Sequence, residues 1–367
     1  MALNTPRAKS KIPCIPGTKP SIQNAQLLIS TGIPSLDFMI GGGLPIGSIM
    51  LIEEDAYGNY ARVMLKYFMA EGVVSSHPLF VASRDSRPAQ LISEMPAPVS
   101  ATLATSDSRV MDSQMQIAWR YQNMRIVESS PTGSQAFGHF YDLTKQMDKE
   151  IIDDAEITQW DGENGKWQAD GFENSAYVDL LKNIQQTMKS GDFLVSANPE
   201  KRNILRIALH SIGSRLWLSD TEEATHNDLL RFLYCFRAIM RSAYAVATIT
   251  VPTLNFDNSD ALVQRLEHLS DTAIALESFM GSSKETNPVF KDYHGLLHIK
   301  KLAAINTLAP HCPESFDLAF KMRRKKFLIK ILHLPPEFDD SAQREQDDSV
   351  PSGIGCSSGT GRLSLDF

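Results

Sequence analysis

The chain has 367 residues, 43% of them hydrophobic and 22% charged, with a net charge of −7. That composition fits a globular protein with a full-sized core, and its acidity leaves only a local basic patch to attract a polyanion. Cys14, Cys235, Cys312 and Cys356 form no C-x-x-C pair and no Cys/His spacing, which argues against a structural zinc site and for scattered reduced thiols.

The first residues are basic (Arg7, Lys9, Lys11, Lys19) without the apolar stretch of a secretory signal. No run approaches the roughly 20 apolar residues of a spanning helix. The expectation is a cytoplasmic and nuclear protein with no membrane partner. Residues 1–22 lack periodicity and predict a flexible arm. In "STGIPSLDFMIGGGLP" either Thr31 or Ser35 would cap a short helix carrying Leu36, Phe38, Met39 and Ile40, stopped by three glycines. The apolar run 47–52 predicts a strand buried on both faces, 61–72 a helix and 79–82 a second strand, which is the spacing of a parallel βαβ unit.

Polar segments near 84–113 and 153–172 predict loop insertions. An amphipathic helix is expected over 175–190, then strands over 203–209, 245–251, 271–276 and 295–300. Helices over 229–243 and 261–269 and loops over 211–227 and 252–260 separate them. The acidic, then Gly/Ser-rich, residues 337–367 predict a disordered tail. Residues 23–336 thus read as one α/β domain.

The stretch "GSIMLIEEDAYGNYARVMLKYF" (47–68) has the strand, loop and helix of a phosphate loop, G-x-x-x-x-G-K-[ST]. In such a loop the backbone amides cradle phosphates, the lysine reaches the β/γ oxygens and the hydroxyl holds magnesium. Aligned between strand and helix, the motif falls on 54–61. Glu54 stands for the first glycine, Asn59 for the second, Tyr60 for the lysine and Ala61 for the hydroxyl, with Gly58 one place out of register.

Glu53, Glu54 and Asp55 put carboxylates where a triphosphate would sit. Like charges at contact repel by about 1 kcal/mol in water and by several when partly buried. His210 stands where a Walker B aspartate would end its strand, and Asp85 is the only carboxylate close behind the strand 79–82. These replacements predict a vestigial site with no cofactor, no metal and no catalysis by this chain. The periodicity is equally compatible with a fold that never held nucleotide.

The segment "STGIPSLDFMIGGGLPIGSIMLIEED" resembles the opening of RecA/circadian-clock-type ATPase domains. A longer series is similar to the fourth-subunit family of the Elongator complex over about 17–336. It comprises "GTKPSIQNAQLLISTGIPSLD", "KYFMAEG", "MQIAWRYQ", "FGHFYD", "KRNILRIALHSIGSRLW", "ALESFMGSSKETNPVFKDYHGLLHI" and "LAFKMRRKKFLIKILHLPPE", with a terminal "LDF". The resemblance implies a RecA-like three-layer α/β domain with a largely parallel central sheet flanked by helices. It further implies a hetero-hexameric ring with the fifth and sixth Elongator subunits, contact with the remaining subunits, and tRNA binding in support of wobble-uridine modification. Two rivals stand beside it: an NTPase with a rearranged phosphate loop, and a scaffold without RNA contact.

Arg323, Arg324, Lys325 and Lys326 form the strongest basic cluster. They would contact tRNA phosphates, face an acidic neighbouring subunit, or simply be a solvated rim. Arg84, Lys201 and Arg202 are candidates to reach across a subunit boundary to a neighbour's nucleotide. The loops over 211–227 and 252–260, pore-facing in RecA-like rings, carry Asp220, Glu222, Glu223, Asp257 and Asp260 against Arg215 alone. RNA contact there would need basic loops from partners. Asp292 with His294, His139 and His210 read as structural. Trp119, Tyr121 and Trp217 suit either a core or an interface.

Overall fold

A computed structural model describes residues 15–21, 26–99, 137–163, 171–256, 260–307 and 311–332. Cys14, Cys356, Trp119, Tyr121, Asp257 and the tail 337–367 lie outside them. The chain opens with β1 (Thr18–Pro20), β2 (Leu27–Ile29), α1 (Pro34–Met39) and β3 (Leu44–Pro45). Next come β4 (Ile49–Glu53), α2 (Asn59–Val74), β5 (Leu79–Ser83), α3 (Pro88–Ser93) and β6 (Pro96–Pro98). The middle holds β7 (Tyr141–Gln146), α4 (Lys149–Asp153), β8 (Ile157–Trp160), α5 (Ser175–Ser190), β9 (Leu205–His210) and α6 (Glu222–Met240). The last third holds β10 (Ala245–Val251), α7 (Asp260–Leu269), β11 (Thr272–Ser278), α8 (Ser283–Thr286), β12 (Gly295–Lys301), β13 (Leu318–Met322) and β14 (Phe327–Ile331).

Among the described residues the main sheet runs β14-β13-β12-β11-β4-β10-β9-β5-β8. From β11 to β8 every pairing is parallel, and β12, β13 and β14 extend it antiparallel. Counted along the chain, the five inner parallel strands lie in the order 5-1-4-3-2, with β4 as the first. This is the RecA-like arrangement. β4, β5, β9 and β10 are buried at every residue, as strands covered on both faces must be.

Alternation along β4 sorts the two cores. Met50 and Ile52 face α2, which presents Ala61, Met64, Leu65, Phe68 and Met69 at helical spacing. Ile49 and Leu51 face the other layer, built from Tyr177, Leu180 and Ile184 of α5, Phe232, Leu233 and Phe236 of α6, and Leu262 and Leu266 of α7. The result is helices, sheet, helices.

Several expectations need correction. The arm ascribed to 1–22 has ordered structure at its end: Ile15 is buried, β1 pairs antiparallel with β2, and the Pro16 carbonyl lies 2.8 Å from His77 Nε2. Inside the presumed insertion 84–113, α3 buries Leu91 and Ile92, and β6 pairs with β7. A proline at the first helical position starts α3, because the missing N–H there costs nothing. Inside 153–172, β8 adds a parallel edge strand beside β5, anchored by Trp160, whose Nε1 donates to Asp179 at 2.7 Å.

The loop 211–227 ends early, because Thr221 caps α6 and Glu222 and Glu223 fall in its first turn, where the helix dipole favours acids. Asp260 likewise opens α7, so three of the five acids assigned to pore loops belong to helix starts. At α1 the N-cap is Ile33, not Thr31 or Ser35. Asp37 instead folds back to accept from the Thr31 amide at 2.8 Å and its hydroxyl at 2.7 Å. Gly41, Gly42 and Gly43 then turn the chain with φ of 94°, 106° and 129°, a region that suits glycine.

Candidate functional site

A crevice of about 330 Å³ opens at the carboxyl ends of β4, β5, β9 and β10. This is where open α/β sheets bind ligands, since strand order reverses there. Its wall is the loop 54–58, and its roof is the start of α2. Gly58, at φ 65°, is the N-cap of α2, a left-handed turn that suits glycine.

The anion position is already filled. Asp55 Oδ1 accepts the backbone N–H groups of Tyr60 at 3.0 Å and Ala61 at 3.3 Å. These first-turn amides are the ones a bound phosphate would take. Tyr60, at the lysine position, is turned into the core, its ring centroid 4.7 Å from that of Phe320. Ala61 is fully buried and brings no hydroxyl.

Glu54 sits deeper. Its carboxylate accepts from Thr250 Oγ1 at 2.7 Å and from Ser211 Oγ at 2.8 Å. Burial raises its pKa despite those bonds, and the charges of Asp85 and Asp55 add to the rise. Asp85 accepts from Ser214 and is also raised, chiefly by burial. Glu53 points elsewhere: burial and a hydrogen bond with Glu267 push it up to about 7.

The cations nearby turn to Glu94, although Arg62 Nε, on the crevice wall, is buried without a partner. Arg62 and Lys66 meet Glu94 at 3.0 and 2.5 Å, and hold it down at about 2 through the Lys66 hydrogen bond above all. His210 ends β9 with Nδ1 at 3.1 Å from Ser83 Oγ, and burial followed by the Arg62 and Lys66 charges lowers it to about 4, so it is neutral at pH 7. The crevice therefore has the wrong charge for a nucleotide.

The other candidates lie apart from it or only border it. The Arg84 guanidinium stacks 5.3 Å from the ring of Trp217, which is wholly buried and belongs to the core. Arg202 donates to the Leu194 and Ala197 carbonyls at 3.0 and 2.5 Å and covers the Tyr244 ring at 4.5 Å, so its donors serve a loop. Lys201 is exposed beside it, ahead of β9 and so at the opposite end of the sheet from the crevice.

Arg323, Arg324, Lys325 and Lys326 form the exposed turn between β13 and β14, closed by backbone bonds between Arg323 and Lys326 of 2.9 and 3.2 Å. Near this turn Asp292 pairs with Lys321 at 2.7 Å, and the His294 ring accepts the Met322 amide at 3.3 Å. That pair is a satisfied turn.

A second charged cluster escaped the sequence reading. Arg206 is fully buried in β9 and donates to the carbonyls of Ser30 at 2.9 Å and Phe68 at 3.2 Å. Glu71 of α2 accepts from the backbone and Nδ1 of His139 at 3.0 and 3.1 Å and from the Tyr141 hydroxyl at 2.7 Å. The signal was present: Arg206 interrupts the apolar run "NILRIAL", and an arginine in a strand buried on both faces must find partners inside.

The sequence profile of the PAXNEB protein family matches residues 11–367. Elongator complex protein 4 of Danio rerio is 42% identical over 98% of this chain and 94% of its own length. That of Homo sapiens is 39% identical over 96% of this chain and 89% of its own length. A solved KaiC-like protein of Pyrococcus horikoshii OT3 aligns with a TM-score of 0.45 at 16% identity, covering 83% of this chain and 99% of that one.

Proposed function

We propose a function from one premise: the chain belongs to the PAXNEB protein family, to which it matches over nearly its whole length. Its relatives are named as the fourth protein of the Elongator complex. The reading is that this chain is a non-catalytic subunit of that complex. It joins the fifth and sixth subunits in a hetero-hexameric RecA-like ring that binds tRNA and supports wobble-uridine modification. The observation that carries the non-catalytic part is the capture of the α2 amides by Asp55, which leaves a phosphate neither donors nor a lysine.

The test has two arms. Mixed with purified fifth and sixth subunits, the chain should enter one species with the mass of a hexamer holding two copies of each. Titrated alone with magnesium-ATP, it should show no saturable binding. A chain that stays monomeric beside those partners would sink the ring reading. Saturable binding abolished by changing Gly58 or Tyr60 would favour the NTPase.

The basic turn Arg323–Lys326 supports the RNA part, because four adjacent cations at an exposed hairpin tip suit a phosphate backbone. Neutralising all four should weaken tRNA binding by the ring and flatten its dependence on salt. No change in either would favour a scaffold without RNA contact.

A further inference from the structure

The crevice at the head of α2 has more acceptors than its own residues serve. Glu54, Asp55 and Asp85 line it, and their hydrogen bonds come from the hydroxyls of Thr250, Ser211 and Ser214 and two helix amides. Arg62 on the same wall pairs with Glu94, and Arg84 acts on Asp85 through its charge alone. A hydroxyl has one proton to give. Ser211 lies within reach of both Glu54 and Asp85, so it satisfies one of them at a time. Asp55 is 4% exposed, and its Oδ2 has no hydrogen-bond partner at all. An acceptor buried without a partner costs free energy that only an added donor recovers.

The chemistry of that donor is constrained. An anion is repelled. Among the described residues no three His, Cys, Asp or Glu side chains converge as they would on a metal ion. Two large side chains with apolar surface, Tyr57 and Leu254, stand 60% and 69% exposed on a lip they share with Asn59 and Asn255. Large apolar side chains around a desolvated polar floor are the anatomy of a protein interface. A long apolar stem ending in a planar, multiply donating cation fits both parts, and such a head also stacks on an aromatic ring like that of Tyr57.

We infer that the crevice is a socket for an arginine side chain projected by the neighbouring subunit, a cation standing where a phosphate loop would hold its nucleotide. This rests on the ring reading above. It turns an empty nucleotide site into a fixed joint. The acids raised by burial would ionise fully once the guanidinium arrives, so the joint should tighten as salt falls.

The test uses the full chain with purified fifth and sixth subunits, with assembly followed by sedimentation at low and high salt. Glu54→Gln with Asp85→Asn keeps shape and one acceptor oxygen on each side chain but removes charge. Tyr57→Ala, on the exposed lip, leaves the core untouched and serves if the first variant folds poorly. The double variant should assemble about tenfold more weakly or worse and lose much of its salt dependence, and Tyr57→Ala several-fold more weakly, with an unchanged melting temperature. Wild-type affinity in both variants would overturn the socket and leave the ring standing. A wild-type chain that never assembles would overturn both.

Discussion

Buried carboxylates lie at both ends of helix α2, Glu71 in its last turn and Glu54 in the loop before its first, and the two are supplied in opposite ways. Near the last turn, where the helix dipole disfavours an acid, burial pushes Glu71 up, yet the His139 hydrogen bond, the Arg206 charge and the Tyr141 hydroxyl outweigh it and hold the group below its ordinary pKa. Before the first turn, where the dipole helps, Glu54 stays above its own, chiefly through burial. The local supply of partners sets the direction: two hydroxyls do not offset burial at Glu54, whereas His139, Arg206 and Tyr141 do so at Glu71. A buried acid that the fold uses is ringed by donors, whereas one left short faces an opening.

The contrast breaks first if Glu71 proves dispensable. Glu71→Ala removes the carboxylate that compensates the fully buried Arg206 and should cost about 3–5 kcal/mol, read from urea midpoints. A loss under about 1 kcal/mol would mean that Arg206 is satisfied by its carbonyls alone.

A pH series sharpens the crevice side. The His210 pKa is depressed to about 4, so the unfolded chain takes up its proton first as pH falls from about 6.5. The stability from this residue is complete above that value and drains away toward pH 4, by about 2 kcal/mol between pH 7 and pH 5. His210→Gln should flatten that part of the wild-type curve; an unchanged slope would show the imidazole to be solvated.

Asp55→Ala strips the cap from α2 and should cost about 1 kcal/mol, visible as a lower melting temperature. A stabilised variant would instead mean that repulsion from Glu54 and Asp85 exceeds the capping gain. Smallest of all, Arg324→Ala with Lys325→Ala should move stability by no more than about 0.5 kcal/mol, since both are exposed at a hairpin tip.

The parallel core was legible because its strands are continuous apolar runs and its helices keep a 3.6-residue period; β4, β5, β9 and β10 fall close to where the pattern puts them. That Tyr60 and Ala61 stand at the lysine and hydroxyl positions of the aligned loop was equally plain from spacing. What spacing does not carry is where a side chain turns. That Asp55 caps α2 and Tyr60 packs on Phe320 depends on the path of five loop residues. The short elements β1 and α3 were missed because three and six residues carry too little periodicity, and β6 and β8 because their strand partners lie far along the chain. The Glu71–His139 bond spans 68 residues and leaves no local trace.

One edge of the main sheet has a further consequence. Strand β14 turns the amides of Phe327 and Ile329 to the Tyr67 hydroxyl at 3.1 Å and the Ser35 hydroxyl at 3.2 Å. Side chains from two helices thus occupy donors that an incoming strand would need. This flank works against chain growth: a second copy meeting it would find two of its pairing donors already taken.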